Sequence, residues 1–376
     1  MSNDISSEAN QTYRISELAQ LSLVESIRRR PAMFIGSVDE TGLLNTCKGF
    51  IESIYRECWN ASEVHYSLAV ADDHFQFACA QFETTFDDLA NLFTNENANP
   101  FRIHGLCDNV TLNAVSREFR VCYKKGEQSW SGLFARGELQ HNQVVPESLQ
   151  QGLWLECTPD IEIFKQHRIS VSQLRDWLQM TGRRIPNLSI DFHDLRLDTI
   201  EHIACPEGMA AQVTQMLDYH GLDRMAYPEL IHFSDWTGDF RIDVAFTHHS
   251  FLTDHAIAAY CNGFHNSVGG AHVEGLVTGI SDALNQFAEH ERLVIHVNPQ
   301  DVQPGLLAGI SVFINQKEKI QSESPMREPN ALLDSKIKAT GQTITQSVHD
   351  FVHHKLFEYL RYEPGLGRAI LAHVAA

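Results

Sequence analysis

Tyr260 to Leu276 reads Tyr-Cys-Asn-Gly-Phe-His-Asn-Ser-Val-Gly-Gly-Ala-His-Val-Glu-Gly-Leu, and the fold turns on how this stretch is interpreted. Four glycines, two asparagines and two histidines stand between a β-branched and aromatic run, Phe240 to Phe246, and a helical pattern. Gly269-Gly270 supplies a backbone bend that a Cβ would hinder. From Ala271 to Phe287, apolar residues recur at Val273, Leu276, Val277, Ile280, Leu284 and Phe287, close to helical spacing. The physics predicts a strand, a tight glycine turn and a helix whose positive end faces the turn. On local grounds the stretch is a loop joining two core elements.

Its wording is more specific than its physics. An asparagine-rich strand end running into Gly-Gly-x-His-x-x-Gly-Leu resembles the second domain of the DNA gyrase and topoisomerase IV B subunits. Three further stretches agree, in the family's order. Ile27-Arg28-Arg29-Arg30-Pro31-Ala32-Met33-Phe34-Ile35-Gly36 resembles the family's opening Val-Arg-x-Arg-Pro-x-Met-(Tyr/Phe)-Ile-Gly. Asn113-Ala114-Val115-Ser116 is similar to the Asn-Ala-Leu-Ser helix after the phosphate loop, and Asp301-Val302-Gln303-Pro304-Gly305-Leu306 to Asp-(Val/Ala)-Arg-Glu-Gly-Leu. The resemblance covers about residues 18 to 360. It implies an α+β chain: a GHKL (Bergerat) α/β sandwich followed by a transducer domain of ribosomal-S5-like βαβ fold, whose left-handed crossover departs from the usual rule.

Length and composition agree with two soluble domains. The chain has 376 residues, more than one core usually serves, and its 43% hydrophobic content is ordinary for a globular protein. No run of about 18 apolar residues predicts a membrane span. Met1 to Ser16 is polar and acidic, unlike a signal peptide. Eight scattered cysteines with no Cys-x-x-Cys pair read as reduced, buried thiols of a cytoplasmic protein. Twenty histidines form no metal-binding pattern, so the pairs His248-His249 and His353-His354 are expected to pack or face solvent. The formal charge of −19 disfavours direct DNA binding, which needs clustered Lys and Arg to displace counterions. Residues 201 to 376 carry 11 basic against 21 acidic side chains, and Arg28-Arg29-Arg30, the only basic cluster, sits at a helix end where cations suit the dipole.

Residues 18–200 are expected to form the ATPase-like domain, after an arm or tail at 1–17 with Tyr13 as a potential anchor. Helices are predicted at Leu18 to Arg30, stopped by Pro31, and at Thr41 to Asn60. Alternation predicts strands at Val64 to Val70 and through Phe75 and Phe77, with more at Val121 to Tyr123, Leu133 to Ala135, Leu153 to Cys157 and Leu188 to Phe192. Another helix is expected at Val171 to Met180, and Pro159 to Ile169 lies near a family motif with Phe164.

The resemblance implies that ATP lies between the second helix and a glycine-rich lid. A glutamate would act as general base on water, and an asparagine four residues later would hold magnesium. Aligning Thr41-Gly42-Leu43 with the family's Thr-Gly-Leu puts Gly49 at the base and Ser53 at the metal ligand. No shift recovers a Glu-x-x-x-Asn pair, and Glu52 with Arg56 reads as an i,i+4 ion pair. Cys79 stands where the family's adenine-reading aspartate belongs, with Glu83 the nearest acid. The lid Gly-x-x-Gly-x-Gly becomes Ile103-His104-Gly105-Leu106-Cys107-Asp108, with Gly105 the only glycine between Phe50 and Lys125. Backbone amides wrap phosphates only where side chains do not intervene, so Leu106 and Asp108 suit that task poorly.

Residues 201–376 read as the transducer-like domain with a long C-terminal helix, the boundary falling in His193 to Glu207. A helix is expected at Met209 to Tyr219, strands at Phe240 to Phe246, Leu293 to Val297 and Leu307 to Ile314, and a last helix at Gly341 to Tyr362. Pro364-Gly365 is read as ending it, before an amphipathic tail from Arg368 to Val374. The family's Gln-Thr-Lys, whose lysine reaches the γ-phosphate, has no counterpart in Lys317 to Pro329, although Lys317 and Lys319 lie upstream. The cleavage half of the family's longer chain is not matched here.

The implied function is a pseudoenzyme, a dimerising gyrase-B-like paralogue that pairs with itself or with the B chain of a gyrase or topoisomerase. No cofactor and no metal are expected. The alternative is an ATP-hydrolysing topoisomerase component using ATP and magnesium. A DNA-binding or DNA-mimicking module is the third reading.

Overall fold

The computed structural model describes residues 22–58, 61–94, 109–142, 150–165, 168–221, 224–236, 238, 240–314, 331–332, 334–337 and 341–375. The expected arm at 1–17, the lid residues Gly105, Leu106 and Asp108, and the Lys317 to Pro329 loop lie outside the described residues.

The first helix, α1 (Leu23–Arg29), starts at a reciprocal box: the Ser22 hydroxyl accepts from Glu25 N, and the Glu25 carboxylate accepts from Ser22 N. Of the stretch Leu18 to Arg30, helix is therefore described only from Leu23. Pro31 stops this helix as expected, directly after its C-cap Arg30. It opens a further turn, α2 (Ala32–Ile35), because proline suits a first helical turn, where an N–H has no partner. Asp39 then caps α3 (Glu40–Glu57) by accepting from Thr41 and Gly42 N–H groups. That helix stops at Cys58, short of Asn60.

There follow β1 (Val64–Val70), β2 (Phe75–Cys79), α4 (Phe86–Thr94), α5 (Asn109–Ala114), β3 (Ser116–Lys125), β4 (Gln128–Ala135), β5 (Glu138–Asn142), β6 (Gly152–Pro159), α6 (Val171–Arg184), β7 (Leu188–Asp194) and β8 (Thr199–Ala204). The eight strands form one sheet in the order β5-β4-β3-β6-β2-β1-β7-β8. All neighbours are antiparallel except β1 and β7, where Val64 pairs with Leu188 and Val70 with Asp194. The first sheet extends to Ala204, inside the stretch expected to hold the boundary. Burial alternates along β1 and β7, so one face takes the helices, a two-layer arrangement. Aromatic rings fill that layer: Phe50 meets Phe77 edge-on at 5.1 Å, and Phe93, Phe119 and Phe134 contact one another. Burying each such ring stabilises the core by roughly 1.5–3 kcal/mol.

The second unit runs α7 (Met209–His220), β9 (Ile231–Asp235), β10 (Phe240–His248), β11 (Ala256–Cys261), β12 (Phe264–His265), β13 (Gly269–Gly270), α8 (Ala271–His290), α9 (Pro299–Val302), β14 (Leu306–Ile314), β15 (Ala331–Leu332), α10 (Ile344–Tyr362) and α11 (Pro364–Val374). Its sheet has the order β12-β11-β14-β10-β9, with β11 and β14 parallel. Both faces are covered, which is why β14 is buried at every position. Ala245 and Leu307 face Met209, Val213 and Leu217 of α7. Their neighbours Val244, Phe246, Leu306 and Ala308 face the layer of α8, α10 and α11.

Two expectations need correction here. Leu293 to Val297 is not a strand: the Asn285 side chain holds Val297 through both its N–H and its carbonyl, Ser281 donates to the same carbonyl, and Val294 is fully exposed. Asn285 thus takes the place a neighbouring strand would have. Pro364-Gly365 does end the long helix, which stops at Tyr362, but the tail is helical from Pro364 rather than from Arg368, proline again standing in a first turn that tolerates it.

Candidate functional site

Gly49 lies in the interior of α3, half-buried, and offers no side chain to polarise water. One turn on, Ser53 is buried, its hydroxyl donating to the Phe50 carbonyl at 2.7 Å and lying 2.6 Å from Asn109 Oδ1 at the start of α5. The side chain at the implied metal position therefore joins two helices. Glu52 faces another way. Burial pulls Lys48 and Arg184 down, and the Glu52 carboxylate opposes it by favouring their charged forms. The Arg56 side chain lies outside the described residues.

Cys79 ends β2, opposite Tyr66 on β1 and Leu153 on β6. Its thiol is buried and sits 3.5 Å from the Cys58 thiol at the end of α3. The hydrogen bond between the two holds Cys79 down and pushes Cys58 up, and burial adds to the rise of Cys58. Tyr66, beside both, has a buried hydroxyl without a partner among the described residues. Gly152 at +93° lets β6 pass this corner, since a Cβ there would fall 2.2 Å from the Cys79 carbonyl.

The four stretches that carried the resemblance do different work. Arg28 donates to the Ala114 carbonyl at 2.6 Å and to Asp160 at 2.7 Å, and Arg136 reaches the same carboxylate at 3.1 Å. Burial would raise Asp160, but the bonds from Arg28 and the Glu162 N–H hold it below the ordinary carboxylate range. Asn113 is buried and donates to the Phe93 and Gly137 carbonyls. The Asp301 carboxylate accepts from Asn298 N, and Gly305 at +73° leaves room for the His249 carbonyl. In the glycine turn, Gly270 at +120° sits where a Cβ would meet Leu332 backbone 2.2 Å away. Gly275 and Gly279 let α10 approach α8, with Thr345 O and His349 O at 2.6 and 2.9 Å from where Cβ atoms would stand. Each of these residues secures backbone against backbone.

Sequence reasoning missed the seam between the two units. Arg184 at the end of α6 donates to the Gly263 carbonyl and Thr181 Oγ1, and its guanidinium lies over Tyr260. Ser311 donates to the Arg184 carbonyl, and Phe313 meets Tyr55 edge-on at 5.1 Å. Asp243, hidden in an alternating strand, accepts from Met209 N at the head of α7 and contacts His232 Nε2 at 2.7 Å. Asp243 lies on the parity opposite Phe240, Ile242, Val244 and Phe246, the one that alternation reads as facing solvent, so no local signal marked it, and none marked Arg184. His248 proves to be packing: it contacts the Tyr227 hydroxyl and the Val302 carbonyl, and burial pulls its pKa to about 4.

A groove of about 540 Å³ lies away from Cys79, between α1 and the β4–β5 hairpin, lined by Arg28, Arg29 and Arg136 with Glu25 and Glu138. Among the described residues no three His, Cys, Asp or Glu side chains are placed to hold a metal, and no helix is long and apolar enough to cross a membrane.

Comparison with known proteins bears on the whole chain. A family model for DNA gyrase B matches residues 211–322, from α7 past β14. The DNA gyrase B protein of Clostridium acetobutylicum is 21% identical over 393 residues, covering 97% of this chain and 59% of that protein. The chain thus spans a little over half the length of such relatives. Among solved structures, the 43K ATPase domain of Thermus thermophilus gyrase B, in complex with an aminocoumarin, aligns with a TM-score of 0.73 at 20% identity, over 94% of each chain. The topoisomerase IV ATP-binding domain of Francisella tularensis, in complex with a small-molecule inhibitor, gives 0.71 at 18% identity over 94% of this chain and 96% of that one. With this sheet order and these matches, the chain has the α+β architecture of the gyrase B ATPase region, a GHKL domain joined to a transducer-like unit.

Proposed function

We propose that this chain is a gyrase-B-like pseudoenzyme that modulates the DNA-topology machinery through protein contacts, as a homodimer or with the B chain of a gyrase or topoisomerase IV. The observation that carries the reading is the state of three positions where the resemblance would seat ATP and magnesium. Gly49 has no base, Ser53 is engaged by Phe50 and Asn109, and Cys79 presents a buried thiol facing Cys58. A serine hydroxyl is a poor substitute for a magnesium-binding amide, and a buried thiol is a weak acceptor for an adenine amino group. These residues do not fit the nucleotide as the family holds it, so no hydrolytic step is assigned to them. The formal charge of −19 supports protein partners over DNA. Buried free cysteines support a reducing compartment such as the cytoplasm.

Calorimetric titration of the full chain with a non-hydrolysable ATP analogue and magnesium tests this reading, with no binding heat expected. Micromolar binding would favour the alternative, an ATP-binding or ATP-hydrolysing component of a type II topoisomerase. Co-purification with gyrase or topoisomerase IV chains tests the partner. A chain that stays monomeric and recovers neither would remove the proposed mode of action.

A further inference from the structure

We propose that Cys58 and Cys79 form a reversible redox pair, whose oxidation to a disulfide clamps the end of α3 to the end of β2. The proposal is independent of the nucleotide reading. Cys58 is the residue that closes α3, its N–H donating to the Ile54 and Tyr55 carbonyls, so its backbone is fixed. Cys79 is fixed equally, in ladder register with Tyr66 on one side and Leu153 on the other. The two sulfurs stand 3.5 Å apart, on residues 2% and 1% exposed. A disulfide bond is about 2.05 Å long, so the sulfurs must close by roughly 1.5 Å, a side-chain adjustment. Other buried thiols are placed differently: Cys157 faces the Ser116 hydroxyl at 3.0 Å and Cys122 the Ser131 hydroxyl at 3.5 Å.

The chemistry has a direction. The two thiols share a contact in which either can donate its S–H. The bond between them holds Cys79 down and Cys58 up, which makes Cys79 the better thiolate and the attacking sulfur, while Cys58 resolves. With hydrogen peroxide as oxidant, the Cys79 thiolate attacks one oxygen and the O–O bond breaks. The leaving hydroxide takes a proton, and Cys79 becomes a sulfenic acid. The Cys58 thiolate then attacks that sulfur, forming the S–S bond and expelling a second hydroxide, which leaves as water. Two thiols and one peroxide give one disulfide and two waters. A small-molecule dithiol or thiol pool reverses the step by exchange.

Closing the chain between residues 58 and 79 restricts the unfolded ensemble, so oxidation raises the unfolding temperature by several degrees. The test uses the full chain, reduced, exposed to peroxide, then alkylated and mapped by mass spectrometry without reduction. Expected are a loss of about 2 Da before alkylation, as the loss of two hydrogens requires, and a linked peptide pair containing Cys58 and Cys79. Dithiothreitol should restore both thiols and lower the unfolding temperature again. Cys58→Ser and Cys79→Ser should each abolish the link. If either variant fails to fold by circular dichroism, Cys58→Ala and the map of the unsubstituted chain decide. The proposal is overturned if both thiols remain fully alkylatable after peroxide, if other cysteines carry the linkage, or if the 58–79 link forms only in denaturant.

Discussion

Arg28 at the end of α1 and Gly49 inside α3 both belong to the first unit, yet their surroundings differ in kind. Arg28 is held by two protein groups, the Ala114 carbonyl and the Asp160 carboxylate, and through them joins three separated parts of the first unit. Gly49 stands where the resemblance puts a catalytic base. The same division separates Asn113, Gly270, Gly275 and Gly305 from Ser53 and Cys79. The first group answers to backbone atoms that are always present. A ligand-facing residue answers mainly to its ligand, and in this chain Ser53 and Cys79 contact other protein groups instead. A resemblance carried by the first group therefore testifies to architecture and says little about chemistry.

Substitutions on either side of that division probe it. The largest effect is expected at Asp160→Ala, which strands Arg28 and removes the link from α1 to β6. Breaking one partner of a buried pair costs about 3 kcal/mol here, the low end of the usual range because Arg28 is partly exposed. Urea denaturation measures it, and a loss under about 1 kcal/mol would place Asp160 outside the scaffold group. Gly275→Ala is next, at about 2 kcal/mol, because the new methyl meets Thr345 backbone that cannot turn aside.

His272→Leu should act in the opposite direction. Both its ring nitrogens are buried without partners among the described residues, and burial alone pulls its pKa to about 4. The folded form stays neutral down to that pH, whereas the unfolded form takes up a proton below about 6.5. Its contribution to stability is thus present above about pH 6.5 and is lost as pH falls toward about 4. The leucine variant is expected to be more stable by about 1–2 kcal/mol at neutral pH and to show a shallower acid limb. An unchanged pH profile in thermal melts would contradict this. Smallest is Ser53→Ala, about 1 kcal/mol for one buried hydrogen bond, with no change in nucleotide titration. A changed nucleotide affinity would move Ser53 into the ligand-facing group and weaken the proposed function.

Much of the fold was legible because its signals are local. The alternation of Phe240, Ile242, Val244 and Phe246, and the helical spacing from Val273 to Phe287, needed only the nearest neighbours. The strands β5 (Glu-Leu-Gln-His-Asn), β9 (Ile-His-Phe-Ser-Asp) and β11 (Ala-Ile-Ala-Ala-Tyr-Cys) lack the sustained alternation of large apolar and polar residues that marks β1 or β10. Leu293 to Val297 has the composition of a strand, and what excludes it is the Asn285 side chain on α8. The site was legible as a set of positions, through alignment to the resemblance. Its present contacts, Ser53 with Asn109 and Cys58 with Cys79, join residues far apart in sequence and carry no local pattern.

The parallel pairing of β1 with β7 has a consequence for how this chain is made. Val64 cannot find Leu188 until more than a hundred further residues have left the ribosome. Until then β1 has β2 on one side and an open edge on the other, with the apolar face of α3 already synthesised. The first sheet is therefore completed late in synthesis, since the strand that covers the open edge of β1 is among the last of its eight to be made.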